Sequence, residues 1–303
     1  MSPNLMTKLA KPMLFSSAMI WGASFFMIKN SLDLFPVFFL LALRFTIGGV
    51  SLALICWKKW RLFTVDYLWR GAILGGFLFL AYAVQTFGLT CTTPSNNAFL
   101  TAVYCVLVPF LGWLVLKQRP DRYHILAALL CVSGVGLISL TESFSIQLGD
   151  LLSLACSFFF AAHIVAVAKV SPGKDITLLT ILQFFFFSLL SWVCALATET
   201  FPSFDAIAQT PGIGFSMFYL CFLSTAVALL FQNVGQVWSD PSSAAIILSL
   251  ESVFGVLFSV LFYGDPVTGR LLAGFGLIFA AVLCSETKFS FLRPRSKGFS
   301  RAG

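Results

Sequence analysis

Charge is scarce in this sequence: 12 Asp and Glu and 19 Lys and Arg among 303 residues, 10% in all. Soluble globular domains carry about 25% charged residues. So small a supply cannot cover a water-facing surface, which excludes a soluble protein and leaves a bilayer as the solvent. Only two histidines occur, and the eight cysteines (56, 91, 105, 131, 156, 194, 221 and 284) stand singly, mostly within apolar runs. With no C-x-x-C and no Cys/His cluster, neither a metal site nor a disulfide framework is indicated. The cysteines read as small apolar packing residues. There is no Walker A or other nucleotide-binding motif, so a primary pump within this chain is excluded. Paired intramembrane aspartates, a Ser/His pair and H-E-x-x-H, which an intramembrane protease would want, are also missing. No cofactor is expected.

What is abundant is apolar: 59% hydrophobic residues, 35 of them Phe. A helix needs about 20 mostly apolar residues to cross a bilayer. Ten stretches approach or meet that length, at 12–31, 36–57, 69–89, 95–116, 123–141, 149–169, 176–197, 213–235, 242–263 and 269–287. Turn and charge signals separate them, among them Phe35-Pro36, Lys58-Lys59-Trp60-Arg61, Thr93-Pro94, Arg119-Pro120-Asp121, Ser171-Pro172-Gly173 and Asp240-Pro241. Lys8 and Lys11 ahead of an apolar run resemble a signal peptide. With so many runs following, the first reads as an uncleaved span.

The basic residues test this count. If the N-terminus is cytoplasmic, 16 of the 19 Lys and Arg fall in inside segments, with Lys29 and Arg270 outside and Arg44 within a span. That asymmetry is the positive-inside bias, and it predicts ten helices with both termini cytoplasmic. The net charge of +7 thus reflects membrane topology. Basic residues in small clusters between apolar runs are no footprint for nucleic acid.

The sequence also repeats itself. Gln85-x-x-Gly88-x5-Pro94-Ser95-x-x-Ala98 recurs as Gln232-x-x-Gly235-x5-Pro241-Ser242-x-x-Ala245, at a constant offset of 147. Shared Gln, Gly, Pro and Ser are not apolar filler, so the halves read as a duplication. Five spans per half is an odd number, which turns the second copy upside down. Inverted repeats are the arrangement of many secondary transporters, whose halves exchange conformations to open a central site to either side. The expected organisation is a cytoplasmic N-terminus (1–11), a first five-helix repeat (12–141), an inverted second repeat (142–287) and a basic cytoplasmic tail (288–303).

Several motifs resemble those of the EamA-type proteins of the drug/metabolite transporter superfamily. Trp21-Gly22-Ala23-Ser24-Phe25-Phe26 with Lys29 is similar to the family's first-helix W-G-x-[NS]-F pattern, and Leu43-Arg44-Phe45 to its second-helix R-F signature. Leu250-Glu251-Ser252-Val253-Phe254 resembles the ninth-helix L-E-P-V-F motif, and Gly264-Asp265 stands where Gly-Glu is usual. Ser252 replaces that motif's proline, so a helix break there is not assured. Lys117-Gln118 departs from Gly-Glu in the first half, and Phe160 replaces a tryptophan common in the sixth helix. The resemblance covers about residues 12–287. It implies ten helices in two inverted repeats and the carriage of amino acids, nucleotide-related metabolites, vitamins or drugs.

Ionisable groups at membrane depth are costly and mark function by default. Arg44, His163 and Glu251 are the clear cases. Glu251, near the middle of the ninth span, is placed to bind and release a proton during transport, or to accept hydrogen bonds from a neighbouring helix, or to pair with Arg44. Arg44 offers a fork of donors for a substrate carboxylate or phosphate, with the Glu251 pairing as its alternative. His163 is a second proton-coupling candidate, or a packed, hydrogen-bonded core histidine. Tyr82 and Gln85, three apart, share a helix face, as do Asn97, Thr101 and Tyr104; the eighth span carries Gln232, Asn233 and Gln236. Such stripes line a wet cavity or glue helices together. Tyr82, Asn97, Tyr104 and Asn233 are the cavity candidates, Gln85 and Gln232 read as structural, and Trp21 is an aromatic wall or a packing residue. The phenylalanines, Phe184–Phe187 among them, face lipid or fill gaps. Gly48-Gly49, Gly75-Gly76 and Gly134-x-Gly136 would let helices approach closely.

The expected function is secondary transport of small metabolites across an inner or plasma membrane, amino acids or their derivatives first, with protons as a candidate coupling ion. Nucleotide-like metabolites, vitamins and amphipathic drugs are the alternative cargo, and an intramembrane lipid-modifying enzyme the alternative class. A monomer suffices to enclose a pathway, and a homodimer stays open.

Overall fold

The computed structural model describes residues 3–139, 148–264 and 268–287. Among them lie fourteen α-helical segments and no strand. In chain order they are α1 (Pro3–Ser31), α2 (Val37–Ile55), α3 (Asp66–Thr90), α4 (Pro94–Thr101), α5 (Tyr104–Leu116), α6 (Arg122–Ser139), α7 (Leu148–Val170), α8 (Ile176–Thr198), α9 (Phe204–Gln209), α10 (Ile213–Phe218), α11 (Ala228–Val237), α12 (Pro241–Leu248), α13 (Leu250–Phe262) and α14 (Gly269–Thr287). A π-helical stretch, Tyr219–Val227, joins α10 to α11. Helix throughout is what a bilayer demands, because each backbone N–H and C=O must find its partner within its own segment.

Among the described residues, seven rods are long and apolar enough to cross a membrane: Val37–Ile55, Asp66–Thr90, Pro94–Leu116, Leu148–Val170, Ile176–Thr198, Ile213–Val237 and Pro241–Phe262. The chain is a multi-pass membrane protein. Within the described residues each of the ten runs expected from sequence falls on helix, but α1, α6 and α14 are not among the seven. Lysines 8, 11 and 29 dilute α1. The other two contribute shorter apolar runs, Arg122–Gly134 and Leu272–Ala281. The first helix also starts at Pro3 and runs through Pro12, so the segment expected as a cytoplasmic N-terminus is helical from residue 3. The boundary near 141 and the basic tail lie outside the described residues, as does Asp265.

Two rods are broken in the same place. Ala102 and Val103 separate α4 from α5, and Ser249 separates α12 from α13. Residues 102 and 249 differ by 147, the offset of the sequence repeat. Both broken rods begin with proline at the first helical turn, behind a side-chain cap: Thr93 accepts from the Asn96 N–H, and Asp240 from the N–H groups of Ser242 and Ser243. The break therefore forms without the proline that Ser252 replaces. It lies three residues earlier, where Ser249 and Ser252 hydroxyls bond back to Ile246 and Ser249 carbonyls.

In the packing, α1 lies along α13 and α11, α2 along α8, and α3 along both α7 and α8, while α6 pairs with α14. Small residues set these distances. A Cβ on Gly22 would meet the Phe254 Cβ at 2.3 Å, and one on Gly75 would meet the Gln183 carbonyl at 2.7 Å. Gly48 and Gly49 also lie in close contacts, but Gly76 and Gly136 have nothing within 4 Å and bring no helix closer. Helix ends are closed by neighbours. The Glu199 carboxylate accepts the Phe38 and Phe39 N–H groups at 2.8 Å each, at the start of α2. Lys29 donates to the carbonyls of Leu89, Thr90 and Thr92 at 2.7, 3.3 and 3.0 Å, closing the end of α3.

Candidate functional site

Between α1, α3, α5, α7, α11 and the α12–α13 break lies a buried cavity of about 20 Å³, room for about one water molecule. Trp21, Ser24 and Ile28 face it from α1, at the spacing of one helical face. Tyr82 and Gln85 line it from α3, Tyr104 from α5, Phe160 and Ile164 from α7, Gln232 from α11, and Leu248 and Glu251 from the two sides of the Ser249 break. The lining pairs up across the repeat: Gln85 matches Gln232, and Tyr104 matches Glu251, each pair 147 residues apart. Aromatic faces thus surround one buried carboxyl and two side-chain amides. The Tyr104 ring is 6.2 Å from Phe160, whose ring is 5.3 Å from Tyr82. The Gln232 carbonyl oxygen is buried without a hydrogen-bond partner, and the Tyr104 hydroxyl stands beside the Glu251 carboxyl, so polar capacity is available to whatever enters.

The π-helical stretch ties this wall to a buried cation. The Trp21 indole N–H donates to the Ser224 carbonyl at 2.8 Å, and Arg44 Nη2 donates to the Ser224 hydroxyl at 3.2 Å. A π turn is wider than an α turn and is frequent at functional sites; here one residue of it serves two neighbours. Arg44 is fully buried, sits 5.6 Å from the centre of the Tyr82 ring, and leaves Nε and Nη1 without partners. It lies behind the Tyr82 wall, not in the cavity lining, and makes no pair with Glu251.

The EamA-like transporter family matches this chain twice, over residues 9–140 and again over 147–287. The chain belongs to the EamA-like transporter family. Among its relatives, an uncharacterized transporter of Archaeoglobus fulgidus is 35% identical over 266 residues, 88% of this chain and 82% of that one. The uncharacterized transporter YvbV of Bacillus subtilis is 24% identical over 275 residues, covering 89% and 88%. A solved crystal structure superposes with a TM-score of 0.77 over 94% of this chain and 99% of its own, at 18% identity, which is a likeness of fold.

In this EamA-like chain the residues singled out from sequence divide in two. Trp21, Tyr82, Tyr104 and Glu251 meet at the cavity, and Arg44 stands one layer behind. Asn97, His163 and Asn233 lie elsewhere. Asn97 donates to the Gln85 carbonyl at 3.1 Å and to the Ser153 hydroxyl at 2.7 Å, joining α4 to α3 and α7. His163 Nε2 contacts Gln183 Oε1 at 3.3 Å between α7 and α8, and Asn233 donates to Thr180 at 2.9 Å between α11 and α8. Thr180 and Gln183 share one face of α8, so these four form a second buried polar cluster. It too has unused capacity, at His163 Nδ1, Gln183 Nε2, Asn233 Oδ1 and both polar atoms of nearby Gln236.

Gln85 and Gln232, read from sequence as structural, are on the cavity wall, although Gln85 also donates to Thr101 at 3.1 Å. Ser24, Ile28, Phe160, Ile164 and Leu248 were not singled out as cavity residues. For Ser24 and Ile28 the signal was present: they follow Trp21 by three and seven.

Proposed function

We propose that this EamA-like transporter is a secondary carrier that moves small amphipathic metabolites through the Trp21–Glu251 cavity by alternating access. The observation that carries the reading is the pairing of Gln85 with Gln232 and of Tyr104 with Glu251 around one cavity, the second pair directly after the matched helix breaks. Two halves that meet on equivalent residues, each interrupted next to its own, can rearrange about the substrate in turn. The preferred arrangement is ten crossings in two inverted five-helix repeats, both termini cytoplasmic, in an inner or plasma membrane, with one chain enclosing the route.

Amino acids or their derivatives fit the chemistry best. Glu251 is placed for an ammonium group and the rings of Trp21, Tyr82, Tyr104 and Phe160 for an apolar side chain. Arg44, with two unused donors, is there for a carboxylate once the Tyr82 ring turns aside. Glu251 is the favoured proton-coupling group, because it faces the cavity and His163 does not. The cluster of His163, Thr180, Gln183 and Asn233 continues the polar path beyond Gln232 toward the ends of α7 and α11, and supports a hydrated route on that side in the opposite conformation.

Reconstitution in liposomes with counterflow of labelled amino acids, nucleosides and vitamins tests the reading. Exchange of an amino acid, weakened by Glu251→Gln, supports it. Exchange of nucleosides or vitamins instead moves the cargo to the alternative class. Failure of every compound with folded protein rejects an amino-acid carrier.

A further inference from the structure

A recess larger than the central cavity lies elsewhere in the described residues. It opens on the outer surface of the bundle between α3 and α5, with α7 as its floor, and holds about 430 Å³. Both α3 and α5 pack along α7 but make little contact with each other. Ile73 and Phe77 form one wall and Leu111 and Val115 the other, while Ala162 keeps the floor low. The volume lies within the ~300–1,000 Å³ of small-molecule sites, and every wall residue just named is apolar.

One end of this groove is basic. Arg70 and Lys169 line it there beside Trp69, and Lys174 is linked to the same group through Asp66. That aspartate accepts from Arg70 at 3.0 Å and from Lys174 at 2.7 Å. Asp66 therefore balances one of three cations, and Lys169 has no acidic partner among the described residues. An apolar slot open to the membrane, ending on an excess of positive charge with an indole at its edge, has the chemistry of an anionic lipid: acyl chain along the helices, headgroup on the cations. A second copy of this chain fits poorly. A two-fold contact through the groove would bring the basic ends together, with one aspartate against three cations in each copy.

We propose that this groove binds an anionic phospholipid. The site stands apart from the transport reading, since it needs no cargo and lies on the other side of α3 and α7 from the cavity. Its consequence reaches the cavity all the same. A lipid wedged between α3 and α5 against α7 braces the helices that carry Tyr82, Tyr104 and Phe160.

The test uses the full chain purified in neutral detergent and offered phosphatidylglycerol or phosphatidylcholine of identical acyl chains. Retained lipid is counted by native mass spectrometry, and the unfolding midpoint is followed with each. The expected result is preferential retention of phosphatidylglycerol and a midpoint raised by it alone. Lys169→Gln should weaken that preference about five-fold, the worth of one cation at an anionic surface. Ala162→Trp, which fills an open slot without entering a packed contact, should remove it while leaving the protein monodisperse and helical. Equal retention of both lipids by the wild type overturns the proposal, and so does undiminished phosphatidylglycerol binding by folded Ala162→Trp. A wild-type dimer that Ala162→Trp dissociates overturns it in favour of a second copy.

Discussion

Adjacent glycines on α3 should respond to the same substitution in opposite directions. At Gly75 an added methyl would sit 2.7 Å from the Gln183 carbonyl oxygen, 2.8 Å from the Phe186 Cβ and 3.1 Å from the Phe187 N. Two of these three atoms are backbone and the third is fixed to it, so no rotamer change relieves the clash. Contact needs some 3.4 Å or more, so α3 must back away from α8 by over half an ångström. Overpacking of this kind costs about 1–3 kcal/mol. At Gly76 there is nothing within 4 Å, and replacing glycine by alanine inside a helix gains about 0.5–1 kcal/mol. Gly75→Ala shares that helix gain, so the two variants should differ by the overpacking cost alone, about 1–3 kcal/mol. Thermal unfolding in detergent reads this as a midpoint below wild type for Gly75→Ala and at or above it for Gly76→Ala. Because α3 also carries Tyr82 and Gln85 onto the cavity, Gly75→Ala should lose transport beyond its loss of folded protein. Equal midpoints for the two variants would refute the close α3–α8 contact on which the cavity geometry rests.

Other outcomes follow from the site and the helix ends. Glu251→Gln keeps volume and removes charge, so the KM for an ammonium-bearing substrate should rise by about ten- to a hundred-fold, the worth of one charge-assisted bond in a dry cavity. A change under two-fold would make Glu251 structural. His163→Gln should leave the pH profile of transport as it is in the wild type, while Glu251→Gln flattens it; the reverse pattern would transfer proton coupling to His163. Glu199→Gln weakens the two N–H bonds at the start of α2 and should cost about 1–2 kcal/mol, seen as a lower midpoint with unchanged KM. Lys29→Met removes the cation that gathers three carbonyls at the end of α3 and should lower both the midpoint and the transport rate, because the cavity residues of α1 and α3 then lose a shared anchor.

The helices were legible because apolar runs of membrane length are hard to hide, and the duplication because Gln, Pro and Ser do not recur by chance at one offset. The cavity was only half legible. Spacing assigns residues to a face of one straight helix, and Asn97, Thr101 and Tyr104 look like a single stripe on that assumption. The break at Ala102 and Val103 splits the stripe. Asn97 and Thr101 turn to α3 and α7, and Tyr104 alone reaches the cavity. For His163 and Asn233 the missing information was the neighbour, since no pattern in α7 or α11 announces Gln183 or Thr180 on α8. For Arg44 the sequence offers a substrate anion or Glu251 as partner on charge alone, yet the Tyr82 ring beside it and Ser224 on the π-helical stretch satisfy part of its demand first.

The matched positions of Tyr104 and Glu251 have one more consequence. A freshly duplicated scaffold presents the same group on both sides of its centre and so cannot tell the two ends of a guest apart. Here one copy has come to offer a neutral phenol and the other a carboxylate. The backbone keeps its likeness while the chemistry has become directional, so for the proposed carrier a guest with one cationic end is expected to lie one way round.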